Sequence, residues 1–273
     1  MTDFLSFCQS YGVVLNRLPP VGRWVRVRTE DKPHHRNGAV KWLGDVGFVQ
    51  NWGTMDEPAV WRGESTREVA QRVRRDSLAA EREAQRMAAR AAQKAQQMLS
   101  ESTLDIHPYF IRKGFPEHVV HVWKDGLAVI PMYVSTHIVG CQTISAAGDK
   151  KFLYGQRSGG AQFVMGMRGK HVLCEGYATA LSAQVVLRNL KVPYALHVCF
   201  SAGNMKKIAQ GLPGGVVLAD NDLSGAGERV AKEIGWPYWM SDTEDEDFND
   251  AHQRRGTFAL AMELGKILRR NVA

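Results

Sequence analysis

The sequence predicts an α/β chain in four segments. These are a small β-rich unit at 1–62, a long polar connecting helix at 63–104, a mixed α+β segment at 105–169, and a domain with a largely parallel central sheet at 170–273. Three observations predict it. Basic and apolar residues alternate through Arg23-Trp-Val-Arg-Val-Arg, the period of a half-buried strand. Residues 65–100 contain no Gly or Pro and are rich in Ala, Glu, Gln and Arg, all good helix formers. From Lys170 onward, apolar runs of strand length alternate with helix-like stretches, the pattern of a parallel sheet covered by helices.

Composition sets outer limits. With 273 residues, 44% hydrophobic and 23% charged, the chain can build a core. A formal charge of +7 suits a phosphate-bearing partner, because Lys and Arg displace condensed counterions from nucleic acid. Many basic proteins bind no nucleic acid, so charge alone decides nothing. Cys8, Cys141, Cys174 and Cys199 form no CxxC pair and lie near no His pair at zinc-ligand spacing. Reduced, partly buried thiols are expected, and zinc is not. The adjacent His34 and His35 lack a third or fourth ligand nearby. No run approaches ~20 apolar residues, and the short N-terminal stretch Met1-Thr-Asp-Phe-Leu-Ser-Phe is acidic rather than basic. The expectation is a soluble cytoplasmic protein with no membrane partner.

In the first segment, Lys32-Pro-His-His-Arg-Asn-Gly carries turn chemistry, and Asn37-Gly38 is a hairpin signal. Further strands are expected through Ala39-Val-Lys-Trp-Leu and Val46-Gly-Phe-Val-Gln-Asn-Trp. Arg23, Trp24, Arg26 and Arg28 interleave cations with an aromatic, as single-strand binding surfaces do. The competing reading puts Trp24 in the core of a small sheet. The helix shows a thin apolar stripe, Val69, Val73, Ala80, Ala84, Ala88, Ala91 and Ala95, over a length of ~50 Å. It reads as a solvated connector, or else as a nucleic-acid contact through Arg72, Arg74, Arg75, Arg82, Arg86 and Arg90. Beyond it, Gly126-Leu-Ala-Val-Ile-Pro-Met-Tyr-Val and Ile138-Val-Gly-Cys-Gln-Thr-Ile read as antiparallel strands. A basic, Gly-rich stretch comes next, with Lys150, Lys151 and Arg157 as candidate phosphate contacts.

Three stretches carry the chemistry. His171-Val-Leu-Cys-Glu-Gly ends a strand on Glu175, and Gly176 lets the backbone turn. Gly215-Val-Val-Leu-Ala-Asp-Asn-Asp ends another on Asp220 and Asp222, which point the same way in extended chain and suit a hard divalent cation. Gly225 and Gly227 keep the exit open. Trp236-Pro-Tyr-Trp-Met leads into an acidic run, in which Asp247 and Asp250 are the best candidates to join the site. Taken singly, each stretch also reads as a solvated loop or a helix-capping turn.

The order strand-Glu-Gly, strand-Asp-x-Asp, strand-acidic cluster resembles the Toprim domain of bacterial-type primases, topoisomerases and some nucleases. Glu175, Asp220 and Asp222 match its motif acids. The resemblance implies a parallel-sheet domain in which these acids, with Asp247 and Asp250, hold Mg²⁺ or Mn²⁺ for phosphoryl transfer. Leu127-Ala-Val-Ile-Pro-Met, Val139-Gly-Cys-Gln and Lys151-Phe-Leu-Tyr-Gly look like the N-terminal part of a primase core. Phe200-Ser-Ala-Gly-Asn-Met-Lys, with Asn204, and Asp247-Phe-Asn-Asp look like plasmid- and phage-encoded primases. The activity that the resemblance implies is primer synthesis from nucleoside triphosphates on single-stranded DNA. Glu175, Asp220 and Asp222 would be catalytic, Lys150, Lys151, Arg157 and Asn204 would bind substrate, and a replicative helicase would be a possible partner. Two departures stand out: the family's zinc-binding module is missing, and Thr179 stands where an acid often follows the motif glutamate. No helicase domain is expected after the last motif, and there is no room for a topoisomerase's cleavage domain. The alternatives are a Toprim nuclease using the same acids with water, and a non-catalytic DNA-binding replication accessory protein.

Overall fold

The computed structural model describes residues 3–63, 67–223 and 225–270, with backbone alone at 67–70, 72 and 270. Ser224, the first two residues, residues 65–66 of the expected helix and the side chains of Val69 and Arg72 lie outside the described residues. The chain is mixed α/β and forms two compact units, Met1–Arg86 and Met87–Ala273. The division falls inside one long helix.

In the first unit α1 (Phe4–Ser10) is capped by Asp3, whose Oδ1 accepts from the Ser6 N–H at 2.8 Å. It packs on an antiparallel sheet of β1 (Val13–Val14), β2 (Trp24–Thr29), β3 (Gly38–Trp42), β4 (Val46–Asn51) and β5 (Ala59–Arg62), paired in sequence order. Phe4, Cys8, Val13, Val27, Val40 and Val49 make its core. The alternation read at 23–28 is real: Val27 and Thr29 are buried, whereas Trp24, Arg26 and Arg28 are exposed. Trp24 keeps 46% of its surface, which removes the reading that buries it. The hairpin expected at Asn37-Gly38 is not a tight turn. Eight residues, 30–37, join β2 to β3, and Gly38 opens the strand. A Cβ on Gly38 would stand 2.9 Å from Thr29 Cγ2 and 3.2 Å from the Gln50 carbonyl, so the glycine serves close strand packing.

Helix α2 (Arg67–Ser100) ends before 104, where β6 (Thr103–Ile106) takes over. Among the described residues its apolar stripe is buried only near the C-terminus. Ala91, Ala95 and Met98 are covered, the last two against Val129 and Cys141, while Ala80 and Ala84 are exposed.

The second unit holds two sheets. One is antiparallel: β6, β7 (Val119–Trp123), β8 (Leu127–Val134), β9 (His137–Ile144) and β10 (Lys150–Phe152), with the short helix α3 (Pro108–Arg112) after β6. The other comprises β11 (Phe163–Met165), β12 (Lys170–Cys174), β13 (Tyr194–Val198), β14 (Gly215–Ala219) and β15 (Tyr238–Met240) in the order β11-β13-β12-β14-β15. Most pairings in the chain are antiparallel. Within this sheet β12 pairs parallel with β13 and β14, β14 pairs parallel with β15, and β11 runs antiparallel to β13. Helices α4 (Tyr177–Asn189), α5 (Ala202–Ala209), α6 (Ala226–Ile234) and α7 (Phe248–Arg270) complete it.

Both faces of this sheet are covered, which is why its strands read as unbroken apolar runs. Val172, Cys174, Val216 and Leu218 face α4 and α7, whereas Leu173, Val217 and Ala219 face α5 and α6. Ile130, Met132 and Ile144 of the antiparallel sheet join the first of these cores. Residues 105–169 and 170–273 therefore pack as one body. β11, only three residues long, falls before the expected boundary at 170 yet pairs into the later sheet.

Candidate functional site

Strand order delivers the acids to one edge. β12 ends at Cys174 and its parallel neighbour β14 ends at Ala219, so Glu175 and Asp220 leave the sheet side by side. The acidic run after β15 is tied to the same place. Asn221 Nδ2 donates to the carbonyls of Ser241 (3.1 Å) and Thr243 (3.0 Å), and the Asp245 N–H donates to the Asn221 carbonyl at 2.7 Å. Of that run, Asp242, Glu244 and Asp245 are exposed. Glu246 is ion-paired to Arg254 at 2.7 Å and hydrogen-bonded by Ser241, which hold it down to about 2. Asp247 precedes α7, where its Oδ1 accepts the Asp250 N–H at 2.9 Å.

The charges at this edge act on one another. Burial raises the Glu175 carboxyl and Asp222 adds to the rise, opposed by the Ala202 N–H donating to it and by Lys150. Asp220 is pushed up to about 7, first by burial, then by repulsion from Asp247 and Glu175. Lys150 opposes that shift and Asp222 adds to it. The Asp220 Oδ1 atom is buried and has no hydrogen-bond partner. Glu175, Asp220, Asp222 and Asp247 are thus gathered within electrostatic range. Asp250 Oδ1 accepts from Lys113 Nζ at 2.8 Å, and the same lysine is within electrostatic range of Asp247.

The cations divide. Lys150, on β10 and 5.8 Å from the Tyr109 ring centroid, is felt at both Glu175 and Asp220. Lys150 and Lys151 are both exposed, and Arg157 lies in the following loop with its Nε 3.4 Å from the Gly159 carbonyl. Asn204 uses both its amide hydrogens and its amide oxygen on backbone groups. Nδ2 donates to the carbonyls of Ala161 and Cys199, each at 2.7 Å, and Oδ1 accepts from the Gly160 N–H at 2.7 Å. It is a bracket that clamps the Gly159-Gly160 loop to the β13–α5 turn.

Several features escaped the sequence. The Thr179 Oγ1 donates to Asp247 Oδ2 at 3.4 Å. Lys207 places its Nζ 3.1 Å from where a Cβ on Gly159 would be, beside the Arg157 loop; the Lys206-Lys207 pair was its only sequence signal. Phe200 adopts φ +65°, an outlier for a bulky residue, and its N–H donates to the Glu175 carbonyl at 3.0 Å. Gly176 has φ −98° and ψ 148°, ordinary extended backbone, so no turn there needs glycine.

Among the described residues no three or more His, Cys, Asp or Glu side chains form a group that could hold a metal ion between them. Mg²⁺ asks for less, namely one or two carboxylates completed by water and substrate phosphates. An unpartnered, buried carboxylate oxygen on Asp220, among acids whose charge is answered by Lys150 and, at Asp247, by Lys113, fits that demand. A pocket of about 510 Å³ lies at the opposite edge, where β12 and β14 begin, lined by Lys170, His171, Gly215 and Trp236. It offers no carboxylate, and ligands of such sheets bind outside the strands' carboxyl ends.

No protein-family model, curated protein or solved structure matches the chain.

Proposed function

We propose that the chain is a Toprim-type primase or primase-like nucleotidyltransferase, using Mg²⁺ or Mn²⁺ to join nucleoside triphosphates on single-stranded DNA. The observation that carries this reading is the Asp220 carboxyl. It is buried, pushed up to about 7, unpartnered at Oδ1, and set among Glu175, Asp222 and Asp247 with Lys150 opposite. Asp220 and Asp222 would hold the cation. A cation held there would supply charge neutralisation for the triphosphate and polarisation of the phosphoryl group. Glu175, whose raised pKa suits a proton acceptor, takes the proton from the attacking 3′-hydroxyl. That oxygen bonds to the α-phosphorus and pyrophosphate leaves. Lys150 meets the triphosphate, while Lys151 and Arg157 meet phosphates further out. The antiparallel sheet sharing a core with the acidic domain supports polymerisation over simple cleavage, since it supplies Lys150.

Incubation with labelled nucleoside triphosphates and a labelled single-stranded template, with and without Mg²⁺, tests the reading. Short labelled products that require Mg²⁺ are expected. Template shortening without synthesis would replace this reading with a nuclease, and binding without either reaction with an accessory protein.

Lys150 should dominate nucleotide binding. Lys150→Ala is expected to weaken it about tenfold or more, the worth of a charge-assisted contact, and to flatten its salt dependence. Arg157→Ala should cost about threefold or less, the range of a solvent-exposed ion contact. Equal effects of the two in a nucleotide titration would contradict this division.

A further inference from the structure

The first unit carries a pocket that the acidic site does not use. Cross-strand pairing sets Trp24, Lys41, Phe48 and Val60 in one row across β2–β5, and Arg26, Ala39 and Gln50 in the next. The inner face of this sheet is filled by the core of Phe4, Val27, Val40 and Val49, so these residues form its outer face. A pocket of about 390 Å³ opens there, lined by Trp24, Arg26, Ala39, Gln50, Trp52 and Pro58. That volume lies in the range of about 300–1,000 Å³ that holds small planar ligands.

Its chemistry is specific. Trp24 and Trp52 keep 46% and 49% of their surfaces exposed, a large apolar area for a surface sheet to leave open. Ala39 is too small to fill the floor between the strands. The Arg26 guanidinium already lies against Trp52, 3.9 Å from the ring centroid, so the pocket demonstrates the stacking that it offers. No carboxylate lines it, and Arg28 on the same strand face adds exposed positive charge. Planar aromatic faces beside cations are what an unpaired base on a phosphate strand requires.

We propose that this pocket is a base-stacking site for single-stranded nucleic acid, with Trp24 and Trp52 as stacking faces and Arg26 and Arg28 meeting the strand. It does not rest on the reading of the acidic edge.

Anisotropy of a labelled oligothymidylate with the full chain tests it. Trp24→Ala and Trp52→Ala should each weaken binding about five- to a hundredfold, the loss of one stacked base. Trp52→Phe should recover most of the loss. An abasic strand of equal length should bind wild type as weakly as the alanine variants bind oligothymidylate. Oligouridylate runs in parallel; binding of either strand by this pattern sustains the site, and the tighter one names the sugar. Wild-type affinity in both alanine variants would overturn the proposal. So would an abasic strand that binds as tightly as oligothymidylate, or a proline-rich peptide that occupies the pocket while the strand does not. If the variants melt early, photocrosslinking of wild type to a 5-iodouracil strand decides: adducts on Trp24 or Trp52 support the site, and adducts only outside β2–β5 remove it. Trp24→Ala should keep the wild-type rise in melting temperature on adding Mg²⁺, so failure of this site and failure of the synthetic reading show in different measurements.

Discussion

Asp220→Asn is expected to make a more stable protein that synthesises no primers. In metal-free buffer the folded chain holds the Asp220 carboxyl at about 7, against an ordinary value of 3.8. Between those values the folded state carries a proton that the unfolded state has lost. Stability therefore falls as pH rises from about 4 to about 7, by up to ~1.4 kcal/mol per unit, and the loss is complete above 7. Asparagine has no charge to bury, so the variant lacks this slope. Its advantage should be near zero at pH 4 and reach on the order of 2–4 kcal/mol at pH 8, or several degrees in melting temperature. On the proposed reading synthesis should drop about a thousandfold or more, because a carboxylate proposed to hold the cation is gone. Added Mg²⁺ should raise the melting temperature of wild type more than that of the variant. Melting curves at pH 4, 6 and 8 with a chelator, repeated with Mg²⁺, check the stability half. A stability difference that does not change with pH would rule out the buried-charge account. Primers made at the wild-type rate would rule out the catalytic one.

The sequence carried the gathering of the acids well, for a simple reason. An apolar run of strand length followed by an acid places that acid at a strand's end, and parallel pairing then sends Glu175 and Asp220 to one edge. What it could not carry depended on partners distant in the chain. Asp250 looks as free as Asp247 in the acidic run, yet it is taken by Lys113, 137 residues earlier. Asn204 looks like a substrate contact in its motif, yet three backbone groups use its amide. Lys150, Lys151 and Arg157 are alike as a basic stretch, and only in the fold does Lys150 stand out, as the one of the three whose charge is felt at Glu175 and Asp220. In the first unit the alternation at 23–28 left two places open for Trp24, and the fold puts it on the exposed face with Arg26 and Arg28. Trp52 reads in the sequence as the last residue of the third strand; β4 stops at Asn51, Trp52 still shares the pocket with Gln50, and its place beside Arg26 emerged only with the sheet register.

Gly227 is a packing residue of the acidic site, and Gly227→Ala should disable that site without touching a charge. The glycine is buried in the first turn of α6, where the helix passes against the end of β14. A Cβ there would stand 2.2 Å from the Asp220 carbonyl oxygen and 3.0 Å from its backbone nitrogen. Neither atom is the tip of a flexible side chain, so the helix or the Asp220 backbone must move. The expected cost is about 1–3 kcal/mol of stability, as for other overpacked sites. The effect on synthesis should be larger, about a hundredfold, because a shift of about 1 Å at a positioned catalytic group costs that much. Gly203→Ala is the matched control. Gly203 lies in the first turn of α5 beside Ala202, and a Cβ there meets nothing within 4 Å. It should keep wild-type synthesis and gain about 0.4–1 kcal/mol from a less flexible unfolded chain. Melting temperature and primer yield of the two variants, measured side by side, separate contact with Asp220 from the general effect of losing a helical glycine. Wild-type yield from Gly227→Ala would mean that the close packing of α6 on Asp220 does not set the geometry of the acids.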